Sequence, residues 1–309
     1  MKLALALWLF SAPAVVAAAE EYPLKKLRAL TWVVDYEPSW SPDGRRIVLI
    51  SSRHGAMKVH TLLLGGGNGS DVRQLTTGED EDDSPAWSPD GRKIAFVRIH
   101  AGVSRIFVMN ADGSDPRPVT GADGESIHPM WTPDGARVLF NTTLFAPADA
   151  AKDKAVDEHR VIGEKIDEKM ELATVRPDGS GLQRITRGGG YTYASFSPDG
   201  AFILHRRIEG ASSKIQIMKA DGSGARDLSG SSALDGWPSW SPDGKRVVFS
   251  RNVQGRFQVF VVDRDGAGAR QLTDAVGEYT NPRWSPDGTT ILCSRRLGDI
   301  NLITFPAPR

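Results

Sequence analysis

Six short stretches collect the side chains of this chain that are able to do chemistry: VVDYE (Val33 to Glu37), GEDEDDS (Gly78 to Ser84), GADGESIH (Gly121 to His128), GGGYTYA (Gly188 to Ala194), ALDGW (Ala233 to Trp237) and VGEYTN (Val276 to Asn281). Acids and aromatics dominate them: Glu37, Asp80, Glu81, Asp82, Asp83, Glu125, Asp235 and Glu278, with His128, Tyr191, Tyr193, Trp237 and Tyr279. Carboxylates steer a basic partner and aromatic rings anchor it, so this set suits a basic peptide segment. The same carboxylates offer oxygen ligands to a divalent cation such as Ca²⁺, although no stretch has the spacing of a calcium-binding loop. A plainer reading makes the acids solvated loop residues whose charge is offset by Arg98, Arg207, Arg251 and Arg295.

Other chemistry has fewer candidates. None of the six histidines, His54, His60, His100, His128, His159 and His205, forms an H-x-H or H-x-x-x-H pair. His54, His100 and His128 lie near strand ends or in the stretches above, where separate segments could gather them around a metal. No G-x-S-x-G nucleophile elbow occurs. His205 and the single cysteine, Cys293, occupy a position filled by Leu49, Phe96, Phe140 and Phe249 in equivalent segments, which marks both as packed core residues.

A repeat must position these residues. PSWSPDGRRIVLI (Pro38 to Ile50) returns as PAWSPDGRKIAFV, PMWTPDGARVLFN, ASFSPDGAFILHR, PSWSPDGKRVVFS and PRWSPDGTTILCS. The aspartates are Asp43, Asp90, Asp134, Asp199, Asp243 and Asp287, spaced by 47, 44, 65, 44 and 44 residues, and a period in the forties marks a repeat array. Ser/Thr-Pro-Asp-Gly suits a type I turn followed by a left-handed glycine, so these aspartates read as turn formers rather than a carboxylate ring. Each turn joins a short strand carrying Trp40, Trp87, Trp131, Phe196, Trp240 or Trp284 to an alternating apolar strand. A third strand follows (RIFVMN, KIQIMK, FQVFVVD), and a second Asp-Gly turn leads into a short fourth.

Four-stranded antiparallel sheets repeated about an axis make a β-propeller, here all-β and six-bladed. The last unit ends in INLITFPAPR with three strands, while RALT (Arg28 to Thr31) matches RQLT at Arg73 to Thr76 and at Arg270 to Thr273. The N-terminal strand is therefore expected to complete the last blade and leave no open edge. The aromatics become wedges between blades, each burying roughly 150–250 Å² and worth on the order of 4–6 kcal/mol before entropy. The 65-residue spacing marks an insertion at about 146–168 in blade three, between its second and third strands, with helix formers from about Asp149 to Arg160. It is expected on the same face as the acidic stretches.

P-x-W-S-P-D-G followed by A-D-G-S-G-x-R-x-L-T resembles the WD40-like (PD40) repeat of the TolB β-propeller family, over roughly Leu24 to Phe305. The resemblance implies a TolB-like propeller of the cell envelope. TolB is a periplasmic component of the Tol-Pal system that meets the lipoprotein Pal, and it carries an α/β domain ahead of its propeller; such a domain is not expected here, with only about a dozen residues between the expected cleavage point and the first strand. Related propellers occur in peptidase accessory domains and sugar lyases, so the alternative is a carbohydrate- or lactone-active enzyme with a metal in its central channel.

The leading MKLALALWLFSAPAVVAAA has the basic start (Lys2), apolar core (Leu3 to Phe10) and Ala-x-Ala end of a secretory signal cleaved near Ala19. Residues 20–309 then form a single propeller with one more acid than base and no transmembrane segment, which argues against a nucleic-acid partner. The expectation is a monomeric, non-catalytic, periplasmic or secreted scaffold without a cofactor. Its partner would be an envelope protein or peptide segment, such as part of a lipoprotein.

Overall fold

The computed structural model describes residues 27–29, 35–64, 71–146, 167–230, 234–273, 277–295 and 300–304. The signal segment at 1–19 and the helix expected at about 149–160 lie outside these residues.

Six four-stranded antiparallel sheets follow one another along the chain. Their first strands are Asp35–Trp40, Glu81–Trp87, Ser126–Trp131, Tyr191–Phe196, Asp235–Trp240 and Tyr279–Trp284. Each first strand packs against those of both neighbouring blades, so the six close into a ring around the axis. The last sheet is completed from the other end of the chain: Leu27–Ala29 pairs antiparallel with Ile300–Thr304, Leu27 opposite Ile303 and Ala29 opposite Asn301. This is the expected closure, and it gives the final strand a partner in place of an open edge.

The Pro-Asp-Gly turns are built as their residue types require. Ser41 Oγ donates to Asp43 Oδ1 at 2.6 Å, and the same oxygen accepts the Arg45 N–H at 3.0 Å. Asp90, Asp134, Asp199, Asp243 and Asp287 repeat the pattern. Gly44 holds φ at 67°, and a Cβ there would meet Cδ of Pro286 at 3.8 Å, so the first blade's turn lies against the last blade's.

The aromatic wedges are equally plain. Trp131 Nε1 donates to the Ala86 carbonyl at 3.2 Å, and the ring packs on Ala95, Val97 and Val108 of the preceding blade. Trp40 does the same across the closure, donating to the Arg283 carbonyl at 3.2 Å and packing with Leu292 and Ile300. His205 and Cys293 are fully buried. Burial pushes the imidazole down to about 4 and the thiol up to about 12.

Candidate binding site in the central channel

The acidic and aromatic stretches, expected as loops, are in large part the innermost strands themselves. In every blade that strand carries a bulge, two residues facing one on its neighbour: the register jumps between Tyr36 and Ser39, Asp83 and Ala86, Ile127 and Met130, Thr192 and Ser195, Gly236 and Ser239, and Thr280 and Arg283. The first bulge residue is in each case a non-glycine with positive φ: Glu37 (50°), Ser84 (48°), His128 (50°), Tyr193 (50°), Trp237 (51°) and Asn281 (52°). Five of these precede a proline, Pro38, Pro85, Pro129, Pro238 or Pro282. Proline fits here because it has no N–H to give to the ladder, which a bulge interrupts anyway. Left-handed conformations cost about 1–3 kcal/mol each outside glycine. Six of them in one ring concentrate strain where the blades converge.

Every blade contributes to the cavity at this convergence: Glu37, Ser84, His128, Tyr193, Pro238 and Arg283 line it in blade order. Its volume is about 30 Å³, room for about two water molecules. One wall is aromatic, with His128 stacked on Tyr193 at 3.8 Å between centroids; outside the lining, Trp237 lies 5.7 Å from Tyr193 and Phe257 edge-on to Trp237 at 5.1 Å.

The opposite wall is acidic. Burial raises the Glu37 carboxyl to about 8, and the neighbouring Asp83 charge adds to the rise; Arg283 works against it. Ser84 Oγ lies near enough to lower Glu37 slightly but makes no hydrogen bond of good geometry. His128 is driven down to about 3, first by burial and then by the Arg206 charge, so it is neutral. Its Nδ1 has no partner. Asn141 lies beside that ring and raises its pKa a little against the other influences; its Nδ2 donates to the Tyr191 carbonyl at 2.8 Å and its Oδ1 accepts the Tyr193 N–H at 3.2 Å. Arg283 donates to the Pro238 carbonyl at 3.2 Å, and burial lowers its pKa. Arg206 donates to Thr192 Oγ1 at 2.7 Å and lies over the Tyr193 ring at 5.0 Å.

Of the residues proposed from sequence, Glu37, Asp83, His128, Tyr193 and Trp237 come together here. The others serve the frame or the rim. Asp82 and Asp235 are fully buried side chains in bidentate pairs with Arg98 (2.7 and 3.0 Å) and Arg251 (2.8 and 2.9 Å). These are structural ion pairs: for Arg98 and Arg251 the offset expected from sequence occurs, but each half-buried guanidinium meets a fully buried carboxylate on the facing strand rather than a solvated loop acid. Glu125 accepts the Ser104 N–H at 2.8 Å, tying blade three to blade two. Tyr191 lies under Arg207 at 4.4 Å, and Tyr279 is buried in the core between blades five and six. Asp80 pairs with His100 at 2.7 Å, Glu81 is exposed and Glu278 half-buried.

The three histidines do not meet. His54 pairs with His60 at 3.3 Å, His100 with Asp80, and His128 with Tyr193. Among the described residues no three His, Cys, Asp or Glu side chains form a group able to hold a metal. Ser84, Asn281, Arg206 and Arg283 were not among the sequence candidates. The signal for Ser84 and Asn281 was present in the residue directly before P-x-W-S-P-D-G.

The chain returns from the insertion through a 3₁₀ turn, Asp167–Lys169, which packs on the first strand of blade four. Just beyond it, Glu171 accepts the Gly189 N–H at 2.9 Å at the entrance to that strand. The Asp167–Lys169 turn and Glu171 thus lie beside the start of the first strand of blade four, while most of the insertion expected at about 146–168 falls outside the described residues.

Fold and site together define a six-bladed propeller with a narrow channel of mixed charge. The TolB β-propeller domain model (PD40) matches residues 24–190 and 180–305, and the chain belongs to that family. A protein described as TolB from Agrobacterium tumefaciens superposes with a TM-score of 0.66 at 22% identity, over 91% of this chain and 97% of that one. TolB from Acinetobacter baumannii gives 0.63 at 21%, over 82% of this chain and 57% of its own. A gluconolactonase from Xanthomonas campestris gives 0.65 at 18%, over 91% and 89%. At these identities the likeness concerns the fold alone. No relative is found among curated proteins. No helix among the described residues is long and apolar enough to cross a membrane.

Proposed function

We propose that this TolB-like propeller is a non-catalytic scaffold of the cell envelope that receives a protein or peptide segment at the mouth of its channel. The observation that carries this reading is the ring of six strained, mutually different bulge residues, one per blade. A ring that only closed the fold would have no need of six different side chains at six equivalent positions. Glu37 supplies charge; His128, Tyr193 and Trp237 supply flat apolar surface, and the small cavity suits one protruding side chain better than a sugar ring. An exported location fits the leading segment and the character of the named TolB neighbours. The reading needs no metal or cofactor.

Cross-linked pull-downs from envelope extract test it, comparing wild type with Tyr193→Ala and Trp237→Ala, each checked for an intact fold by its thermal melt. A partner recovered with wild type is expected to fall at least fivefold with either variant. Equal recovery would remove the channel as the site. The neighbouring gluconolactonase sets the second comparison: turnover of a lactone or an oligosaccharide, abolished by His128→Ala, would replace the scaffold with an enzyme.

A further inference from the structure

We infer that the channel holds a primary alkylammonium group, with Glu37, Ser84 and His128 supplying its three acceptors. This deepens the proposed function and rests on it only for where the amine comes from: a lysine side chain of a partner segment, or a free amine. The three residues belong to blades one, two and three, occupy equivalent bulge positions and all line the cavity. Ser84 is 8% exposed with an unpartnered hydroxyl. His128 Nδ1 has no hydrogen-bond partner, and a neutral imidazole keeps one ring nitrogen as an acceptor. Glu37 offers carboxyl oxygens. A –NH₃⁺ group has three donors and no acceptor, which matches this set. A quaternary ammonium has no N–H to give, and a guanidinium presents five donors in a rigid planar fork rather than three on one nitrogen.

Charge gives the same answer. Facing Glu37 are Asp83 from blade two and Arg283 from blade six, with His128, Tyr193 and the Arg206 guanidinium across the channel. In the empty site Glu37 carries a proton at neutral pH, since its carboxyl is raised to about 8. An entering ammonium takes the place of that proton: Glu37 ionises, one H⁺ leaves to solvent, and the net charge of the site is unchanged. The aromatic wall of His128 and Tyr193 then covers the methylene stem.

The test is calorimetric titration of n-butylammonium into wild type, Glu37→Gln and Ser84→Ala between pH 6 and 9, in phosphate and in HEPES, neither of which carries a primary amine. Affinity is expected to rise about tenfold per pH unit up to about 8 and then level off, with close to one proton released per ammonium at pH 7. Glu37→Gln, which mimics the protonated acid and keeps its shape, should lose at least tenfold in affinity together with the pH dependence. Ser84→Ala should lose severalfold, and butyltrimethylammonium should bind at least tenfold more weakly than n-butylammonium. No binding, no proton release, undiminished binding to Glu37→Gln, or equal binding of the trimethyl compound would each overturn the inference. A capped Ala-Lys-Ala peptide and its acetyl-lysine form identify the source: tighter binding of the lysine peptide than of n-butylammonium supports a partner segment, and equal binding supports a free amine. Capture of an envelope protein without ammonium binding overturns this inference and leaves the scaffold standing. Ammonium binding without any captured partner does the reverse.

Discussion

His205 sits where sister blades place Leu49, Phe96, Phe140 and Phe249, with both ring nitrogens buried and unpartnered. Its pKa is lowered to about 4 by burial, so between that value and the ordinary 6.5 the unfolded chain binds a proton that the folded one refuses. The stability this involves is present above about 6.5 and is lost as the pH falls toward 4, on the order of 3 kcal/mol in total. His205→Phe should be within about 1 kcal/mol of wild type at pH 7 and about 2 kcal/mol more stable at pH 4.5. Urea denaturation at both pH values measures this, and parallel pH profiles for the two proteins would refute it. At this scale the sequence was informative about type and poor about role. Glu37, His128, Tyr193 and Trp237 stood out as acid or aromatic and do line or flank the channel. Asp82 and Asp235 looked just as functional, yet each is matched by an arginine 16 positions later that the strand register places opposite it. Arg283 escaped notice because the group it faces, Glu37, lies across the closure of the ring and not nearby in the chain.

At the level of elements, the short first strand does two jobs with one motif. Its bulge, followed by proline in five blades, turns one residue toward the axis, and its aromatic residue, three positions after the bulge residue, tryptophan in five blades and Phe196 in the fourth, faces back into the seam between blades. Trp131 is a measure of that seam. Trp131→Ala removes the indole bond to Ala86 and the packing on Ala95, Val97 and Val108, at a cost of about 3–5 kcal/mol. A urea midpoint that falls with an unchanged slope would show the loss; a midpoint within error of wild type would mean the seam does not depend on the wedge. The Pro-Asp-Gly turns were readable from sequence because a turn is a local object, decided by four or five consecutive residues. The bulge was not, since two residues opposing one is a relation between strands and only the ladder reveals it.

For the molecule as a whole, closure is the feature on which stability and solubility both depend. Leu27–Ala29 is the only cover for the outer edge of Ile300–Thr304 among the described residues. A chain begun at Thr31 should therefore melt lower and form concentration-dependent oligomers through the freed edge. Size-exclusion chromatography and a thermal melt report on this, and an unchanged monomer with an unchanged melt would show that the strand is dispensable. The repeat period, the six turns, the aromatic wedges and the two complementary half-blades at the chain ends are all written in the amino-acid order, because each is a local pattern copied at a fixed interval. The sequence by itself thus determined the number of blades and how the ring closes. Which side chains share the channel was decided only by the tertiary structure. Glu37, Ser84, His128, Tyr193 and Arg283 are separated by dozens of residues or more, and it is the convergence of six innermost strands on one axis that packs them into a space of about 30 Å³. Desolvation in that space, more than any property of the residues alone, leaves a glutamate holding its proton and a histidine refusing one.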